Sequence, residues 1–332
     1  MKSDTILNLF YEEPQADRWF KYDRYPRRLA RRLIRGKQRP GGVMMVALNL
    51  MKGLDKLNIK YRFNDFSYIR KHPDELACII GKPQLLFEHK WRNPILFGAG
   101  IFSHPVDCPD LFTIYPNVKY LLVPGEWMRE MFEHYYGDKV TAWPTGIDTD
   151  KWVPNKAENT YDFLIYNKIR WEYEQYEESL LNPIRKALER KNLTFQEIRY
   201  GSYEPGELKA KVNTSRAVIF LCEHETQGIA YQQILSTNTP ILAWDRGGFW
   251  KDPYYYPHQV QYQPVSSVPY WDERCGSKFK TIEDFEPQLN EFQELLSTNR
   301  FNARNYILEN LTLEKAAKAY YEIANKIISE LK

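Results

Sequence analysis

The sequence predicts an α/β protein of two domains, each a parallel sheet with helices on both faces. Three observations predict it. At 332 residues the chain is longer than one core ordinarily serves, which favours two domains of about 150 residues each. Strand-like and helix-like segments alternate in two successive series, the order of a parallel sheet. A polar, turn-rich stretch, GIDTDKWVPNKAENT (146 to 160), separates the two series.

In chain order, TILNLFYE (5 to 12) reads as a buried first strand, and GGVMMVALNLMKGLDKLNI (41 to 59) as a helix entered through Gly41 and Gly42. KYRFND, ELACIIG and NPILFGAGIF are short strands with polar or Pro/Gly breaks, and KYLLVPG leads into the helix EWMREMFEHYYG. The second series starts at YDFLIYN (161 to 167). It continues through the helix SLLNPIRKALERKNL, the strand FQEIRYG, the helix ELKAKVNTS and the strand AVIFLC (217 to 222). After ETQG comes the helix IAYQQIL, stopped by Asn238, Thr239 and Pro240, and then the strand ILAW. LTLEKAAKAYYEIANKIISELK (311 to 332) is a periodic closing helix with Thr312 as N-cap. The domains are therefore expected at 1 to 153 and 154 to 310, with the closing helix 311 to 332 after them.

Composition narrows the function classes. The apolar share of 43% permits real cores, and the net charge of +3 decides nothing by itself. The N-terminus MKSDTILNLFYEE resembles neither a signal peptide nor a transit peptide. PILFGAGIF and the other apolar runs are less than half the roughly 20 residues that a transmembrane helix needs. Cys78, Cys108, Cys222 and Cys275 are too far apart for a CxxC metal pair, and read as reduced thiols of a cytoplasmic protein. Charge is uneven, because residues 18 to 39 are dominated by Arg and Lys. Within them YPRRLARRLIRGKQR (25 to 39) has the pattern of a short basic amphipathic helix starting at Pro26. Three uses stay open for it: peripheral contact with an anionic membrane, a grip on a phosphorylated or acidic acceptor through residues such as Arg35, or a solvated insertion. Nucleic acid is disfavoured because no base-stacking motif accompanies the charge.

The stretch with most chemistry is ETQGIAYQQ (225 to 233). It follows a strand and opens a helix, so it belongs at the carboxyl edge of a parallel sheet, where ligands bind and helix N–H groups suit phosphate. Glu225, Gly228, Gln233 and Pro240 stand at intervals that resemble the GT-B glycosyltransferases, especially the retaining enzymes of family 4. That family carries a Glu, a Gly three residues later, a second Glu eight after the first, and then Gly-x-Pro. Gln233 departs from the second Glu, and Asn238 from the Gly; Asn is the commonest other residue at a left-handed helix end. PTGID (144 to 148) is similar to the family's exit into the linker, and Gly41 and Gly42 to its first glycine loop.

The resemblance implies two Rossmann-like domains facing a central cleft, with the closing helix 311 to 332 returning to the first, the nucleotide sugar on the second, a glycan or lipid-linked acceptor on the first, and transfer with retention. It implies that Lys168 and Arg170 meet the diphosphate. Gly228, Ile229 and Ala230 would offer backbone N–H groups, with Gly201 and Gln227 beside them. Glu225 would accept hydrogen bonds from sugar hydroxyls, and Gln233 would meet the ribose. His104 would be the active-site histidine of the first domain, and Gly41 and Gly42 would bind acceptor or phosphate; Arg35 joins them through the basic pattern of 25 to 39, which the resemblance does not cover. The plainer readings are that Glu225 is a loop carboxylate, that the cations are general basic surface, and that His104 is a loop residue before Pro105. His224 reads as a polar neighbour, and His258 and Cys275 have no partner at ligand spacing. Asp148 with Asp150, and Asp107 with Asp110, suit turns better than a cation, so no metal or other cofactor is expected. The rival reading is a nucleotide-sugar epimerase or a non-catalytic sugar-nucleotide-binding relative.

Overall fold

The computed structural model describes residues 5–13, 17–20, 23, 24, 26, 27, 30, 41–100, 102–154, 158–204 and 206–331. Of the expected basic helix only Pro26, Arg27 and Ala30 are described, and they are helical. Arg27 pairs there with Asp23, Nε to Oδ2 at 3.0 Å. Arg35 and the rest of 25 to 39 lie outside the described residues.

The chain forms two compact units. One gathers Met1–Pro124, Phe132–Trp143 and Ala316–Lys332; the other gathers Gly125–Met131 and Pro144–Lys315. In the first, six strands run parallel: β1 (Leu7–Phe10), β2 (Tyr61–Phe63), β3 (Ala77–Ile79), β4 (Ile95–Gly98), β5 (Val118–Val123) and β6 (Val140–Ala142). Their order is β2-β1-β3-β4-β5-β6. In the second, β7 (Tyr161–Asn167), β8 (Phe195–Arg199), β9 (Ser215–Leu221), β10 (Ile241–Trp244) and β11 (Gly276–Phe279) form a parallel sheet of order β11-β10-β9-β7-β8. Central strands β3, β4, β9 and β10 are apolar and buried almost throughout, as strands covered on both faces must be.

Besides a short helical turn at Tyr173–Tyr176, the helices among the described residues include α1 (Gly42–Lys56), α2 (Phe66–Lys71), α3 (Gln84–Glu88), α4 (Leu111–Ile114), α5 (Glu126–Tyr136), α6 (Asn182–Arg190), α7 (Glu207–Asn213), α8 (Ile229–Ser236), α9 (Ile282–Ser297), α10 (Ala303–Asn310) and α11 (Leu313–Glu330). Gly41 is the N-cap of α1. Ahead of α6 the chain makes a π-turn over Glu177–Leu181 rather than continuous α-helix. Pro183 has no N–H for the carbonyl four residues back, which is reason enough for the altered bonding. Asn238 takes φ +60° just past α8, the left-handed end that its residue type suggested. Thr312 caps α11, its Oγ1 accepting from Lys315 N at 3.2 Å. Along α11, Ala316, Ala317, Tyr320, Ala324 and Ile327 are buried, and the Trp143 indole donates to Ala316 O at 2.9 Å.

The segment expected as a linker is ordered within the second unit as far as it is described. Ile147 N donates to Leu311 O at 2.7 Å, and Arg304 holds the carbonyls of Trp152 and Thr149 at 2.8 and 3.1 Å. A β-carbon on Gly146 would come within 2.6 Å of Leu313 Cα, so this close approach requires glycine. No helix among the described residues is long and apolar enough to cross a membrane.

Candidate functional site

The site is built at the carboxyl edge of β7, β8 and β9. β9 ends at Leu221 and β7 at Asn167, and Lys168 N donates to Leu221 O at 2.7 Å, so the two strand ends are stapled side by side. Cys222 and Glu223 follow β9 in buried positions. Glu223 Oε1 accepts from the backbone N–H groups of Arg170 and Trp171 at 2.7 and 2.9 Å. That carboxylate holds the loop after β7 in one course, and with it the side chains of Lys168 and Arg170.

Lys168 Nζ donates to Glu225 Oε1 in a largely buried ion pair. The ammonium also lies 4.5 Å from the centre of the Tyr200 ring. Burial alone would lower the Lys168 pKa, but the Glu225 carboxylate more than offsets this and holds it above its usual range. Glu225 is only 6% exposed. Its backbone is fixed from both sides, the N–H by Ser266 O at 2.9 Å and the carbonyl by the Trp127 indole at 2.9 Å. Asp245 shapes the loop that supplies Ser266, accepting from Ser267 N at 2.8 Å and from the Ser266 hydroxyl at 3.1 Å.

Arg170 is held as firmly. Its Nη2 donates to His224 O at 3.0 Å, and its Nε stands 3.5 Å from Glu223 Oε2. The His224 ring is packed among Trp127, Trp171 and Trp250, and Trp250 donates its indole N–H to His224 Nε2 at 3.0 Å. Burial, followed by the positive charges of Arg170, Arg246 and Lys168, pushes the His224 pKa well below its usual value. His224 is a neutral acceptor that orients its neighbours, in keeping with its reading as a polar neighbour.

Gly228 introduces α8 with φ +76°, and a β-carbon there would lie 2.0 Å from Tyr231 Cε1. Only glycine fits. Tyr231 is fully buried and pinned, its hydroxyl donating to Tyr270 O at 3.1 Å and accepting from Tyr270 N at 2.9 Å. No side chain caps α8. The N–H groups of its first turn, those of Ile229 and Ala230 among them, therefore have no intrahelical partner. Gln233 is half-buried on this helix, and its amide has no hydrogen-bond partner among the described residues.

The other expected site residues fall elsewhere. Gln227 turns inward instead of toward a donor. Its Oε1 accepts from Thr145 N at 2.8 Å and its Nε2 donates to Gln232 Oε1 at 3.1 Å. A buried amide at 7% exposure needs those partners, and they occupy it. Gly201 sits at φ +83° in the exposed turn after β8, with open space beside it. In the first unit His104 is buried and caps the 3-10 turn Pro105–Asp107, its Nδ1 accepting from Val106 N at 3.0 Å. Burial pushes its pKa down to about 4, against the opposing pull of Asp107. Gly41 and Gly42 begin α1 in exposed positions.

Sequence reasoning missed Glu223, Tyr200 and Asp245. For Glu223 a signal was available, since an acid directly after an apolar strand is placed at the ligand edge. Among the described residues no group of three or more His, Cys, Asp or Glu side chains could hold a metal ion.

No family model matches the sequence, and no curated relative matches it. Solved structures do match. The apo form of the lipopolysaccharide outer core galactosyltransferase WaaB aligns at 12% identity over 86% of this chain and 96% of its own, with TM-score 0.53. S. aureus TarM, a variant in complex with fondaparinux, alpha-GlcNAc-glycerol and UDP, aligns at 13% identity over 84% of this chain, with TM-score 0.53. Sucrose-phosphate synthase from Thermosynechococcus elongatus aligns at 10% identity over 89% of this chain and 82% of its own, with TM-score 0.52. The chain spans 59% of that TarM chain and 58% of a second TarM structure. At such identities the likeness is one of fold. Two α/β units with parallel sheets, together with these matches, give this chain the GT-B fold of the glycosyltransferases.

Proposed function

We propose that the protein is a glycosyltransferase that moves a sugar from a nucleotide-diphosphate sugar to a glycan or lipid-linked acceptor, with retention of configuration. One observation carries the reading: a half-buried lysine and a buried carboxylate in direct contact, in the same loop cluster as the uncapped start of α8. Breaking the bond between anomeric carbon and phosphate builds charge on the leaving diphosphate, and fixed cations and helix N–H groups stabilise it. Lys168 and Arg170 supply the cations, and Gly228, Ile229 and Ala230 the N–H groups. Glu225 accepts from the sugar hydroxyls, and Gln233 both accepts from and donates to the ribose. With those cations in place the reaction needs no metal, so excess EDTA should leave the rate unchanged.

The neighbours named above support the class, since one is a galactosyltransferase and another was solved with UDP. The first unit takes the acceptor, with His104, Gly41 and Gly42 as its candidates. Four buried free cysteines support a cytoplasmic setting. For 25 to 39, acceptor binding is favoured over an anionic membrane because the apolar stripe is short. Incubation with a panel of nucleotide sugars tests the function. Transfer, or slow hydrolysis of one donor, supports it; a ring isomer would establish the epimerase instead, and binding without turnover the non-catalytic relative.

A further inference from the structure

In this structure the two groups assigned to opposite halves of the donor neutralise each other. Lys168, meant for the diphosphate, is bound to Glu225, meant for the sugar. Their side chains are 12% and 8% exposed, so water offers little to either partner if the pair separates. Arg170 cannot readily take the lysine's place, because Glu223 and the His224 carbonyl already hold it. A free diphosphate that draws Lys168 away leaves a buried carboxylate with no proton donor. An intact donor does not, because its sugar hydroxyls then donate to Glu225.

We infer that the Lys168–Glu225 ion pair makes the site discriminate against free diphosphate in favour of intact nucleotide sugar, so that product release is assisted by re-formation of the pair. The inference rests on the donor reading above. Sugar and phosphate bind as a coupled exchange: one displaces the lysine, the other satisfies the acid. Once the sugar is transferred the carboxylate is stranded and recaptures Lys168, which loosens the remaining nucleotide diphosphate.

Inorganic pyrophosphate is the suitable probe, since it carries neither sugar nor base. Calorimetric titration should show it binding Glu225→Gln about tenfold more tightly than the wild type, because the neutral amide releases the lysine without a stranded charge. Simple relief of repulsion between Glu225 and the anion would produce the same sign, so the comparison is repeated in a Lys168→Gln background. There the effect of Glu225→Gln should fall below about twofold, as expected for two coupled groups. Equal or weaker binding by Glu225→Gln, or the same gain with and without Lys168, would overturn the inference. Melting curves on each variant exclude unfolding as the cause. Separate donor-panel turnover by the wild type keeps the two failures apart: without turnover the functional reading falls, whatever pyrophosphate does.

Discussion

The carboxyl edges of the two sheets are built differently. In the second unit the edge is crowded with charge: the buried Glu223 and Glu225 and the half-buried Lys168 within one loop cluster, with the more exposed Arg170 held beside them. In the first unit glycines follow β3 and end β4, and His104 beyond β4 is buried with its pKa pushed down. Gly81 and Gly100 make room for Val43 of α1, since β-carbons on them would come within 2.8 and 3.2 Å of its Cγ1. Gly98 at φ +126° would meet Leu122 O at 2.1 Å if it carried a β-carbon. One edge fixes charges in place, and the other brings backbone and side chains into close contact at its glycines.

The comparison can be broken most severely at Glu225. Glu225→Gln should lower kcat by roughly 10- to 100-fold, since one well-placed charged hydrogen bond is worth about 1.5 to 3 kcal/mol. Glu225→Ala is the poorer test. Read as a loop carboxylate, Glu225 could be removed without harm to the fold; buried and paired, it leaves Lys168 without its partner, so the alanine variant should also melt earlier. Unchanged turnover in Glu225→Gln would remove this residue from the chemistry.

Next in size is Gly228→Ala. A left-handed backbone and a clash with the pinned Tyr231 ring together should cost roughly 2 to 5 kcal/mol, read as a lower midpoint in denaturant. Gly41→Ala is its counterpart in the first unit. Gly41 has φ −70° and, among the described residues, its β-carbon would meet Glu13 Oε1 at 3.6 Å, so stability should fall by less than about 1 kcal/mol, the loss of a preferred N-cap residue. If transfer is unchanged, Gly41 has no place in acceptor or phosphate binding.

Gln233→Glu sharpens the donor side more gently. The free amide leaves room for a carboxylate, and a charged acceptor should tighten ribose binding by up to about tenfold. Loss of donor binding would mean that this face of α8 does not meet the ribose. The smallest effect is one of pH. His104 has a pKa of about 4 in the fold, below its unfolded value near 6.5. The unfolded chain therefore binds more protons between those values, so His104's contribution is complete above pH 6.5 and is lost as pH falls toward 4. Its titration should leave no inflection in kcat/KM between pH 6 and 8. An inflection there that vanishes in His104→Asn would give His104 an ionising role.

Much of the fold was legible because buried parallel strands are continuous apolar runs and the helices between them are periodic. YDFLIYN, ILAW and the closing helix appear where the pattern placed them. The left-handed Asn238 was legible too, since its residue type carries the conformation. What stayed hidden depends on partners distant in sequence. Nothing near Gln227 tells that its amide is taken by Thr145, 82 residues away. Nothing near Gly81 announces Val43. Lys168 and Glu225 were both named as site residues, yet their direct pairing joins residues 57 positions apart and only the stapled ends of β7 and β9 reveal it. Residue types indicate which groups belong to an edge, whereas the register of the strands decides which of them touch.

The most direct measurement is a crystal structure of the protein soaked with the nucleotide sugar that the panel identifies. The diphosphate should lie within hydrogen-bond reach of Lys168 Nζ and of the first-turn N–H groups of α8, with the sugar hydroxyls donating to Glu225. A diphosphate bound away from α8, with Lys168 and Glu225 touching no part of the donor, would contradict the assignment of this edge as the donor site.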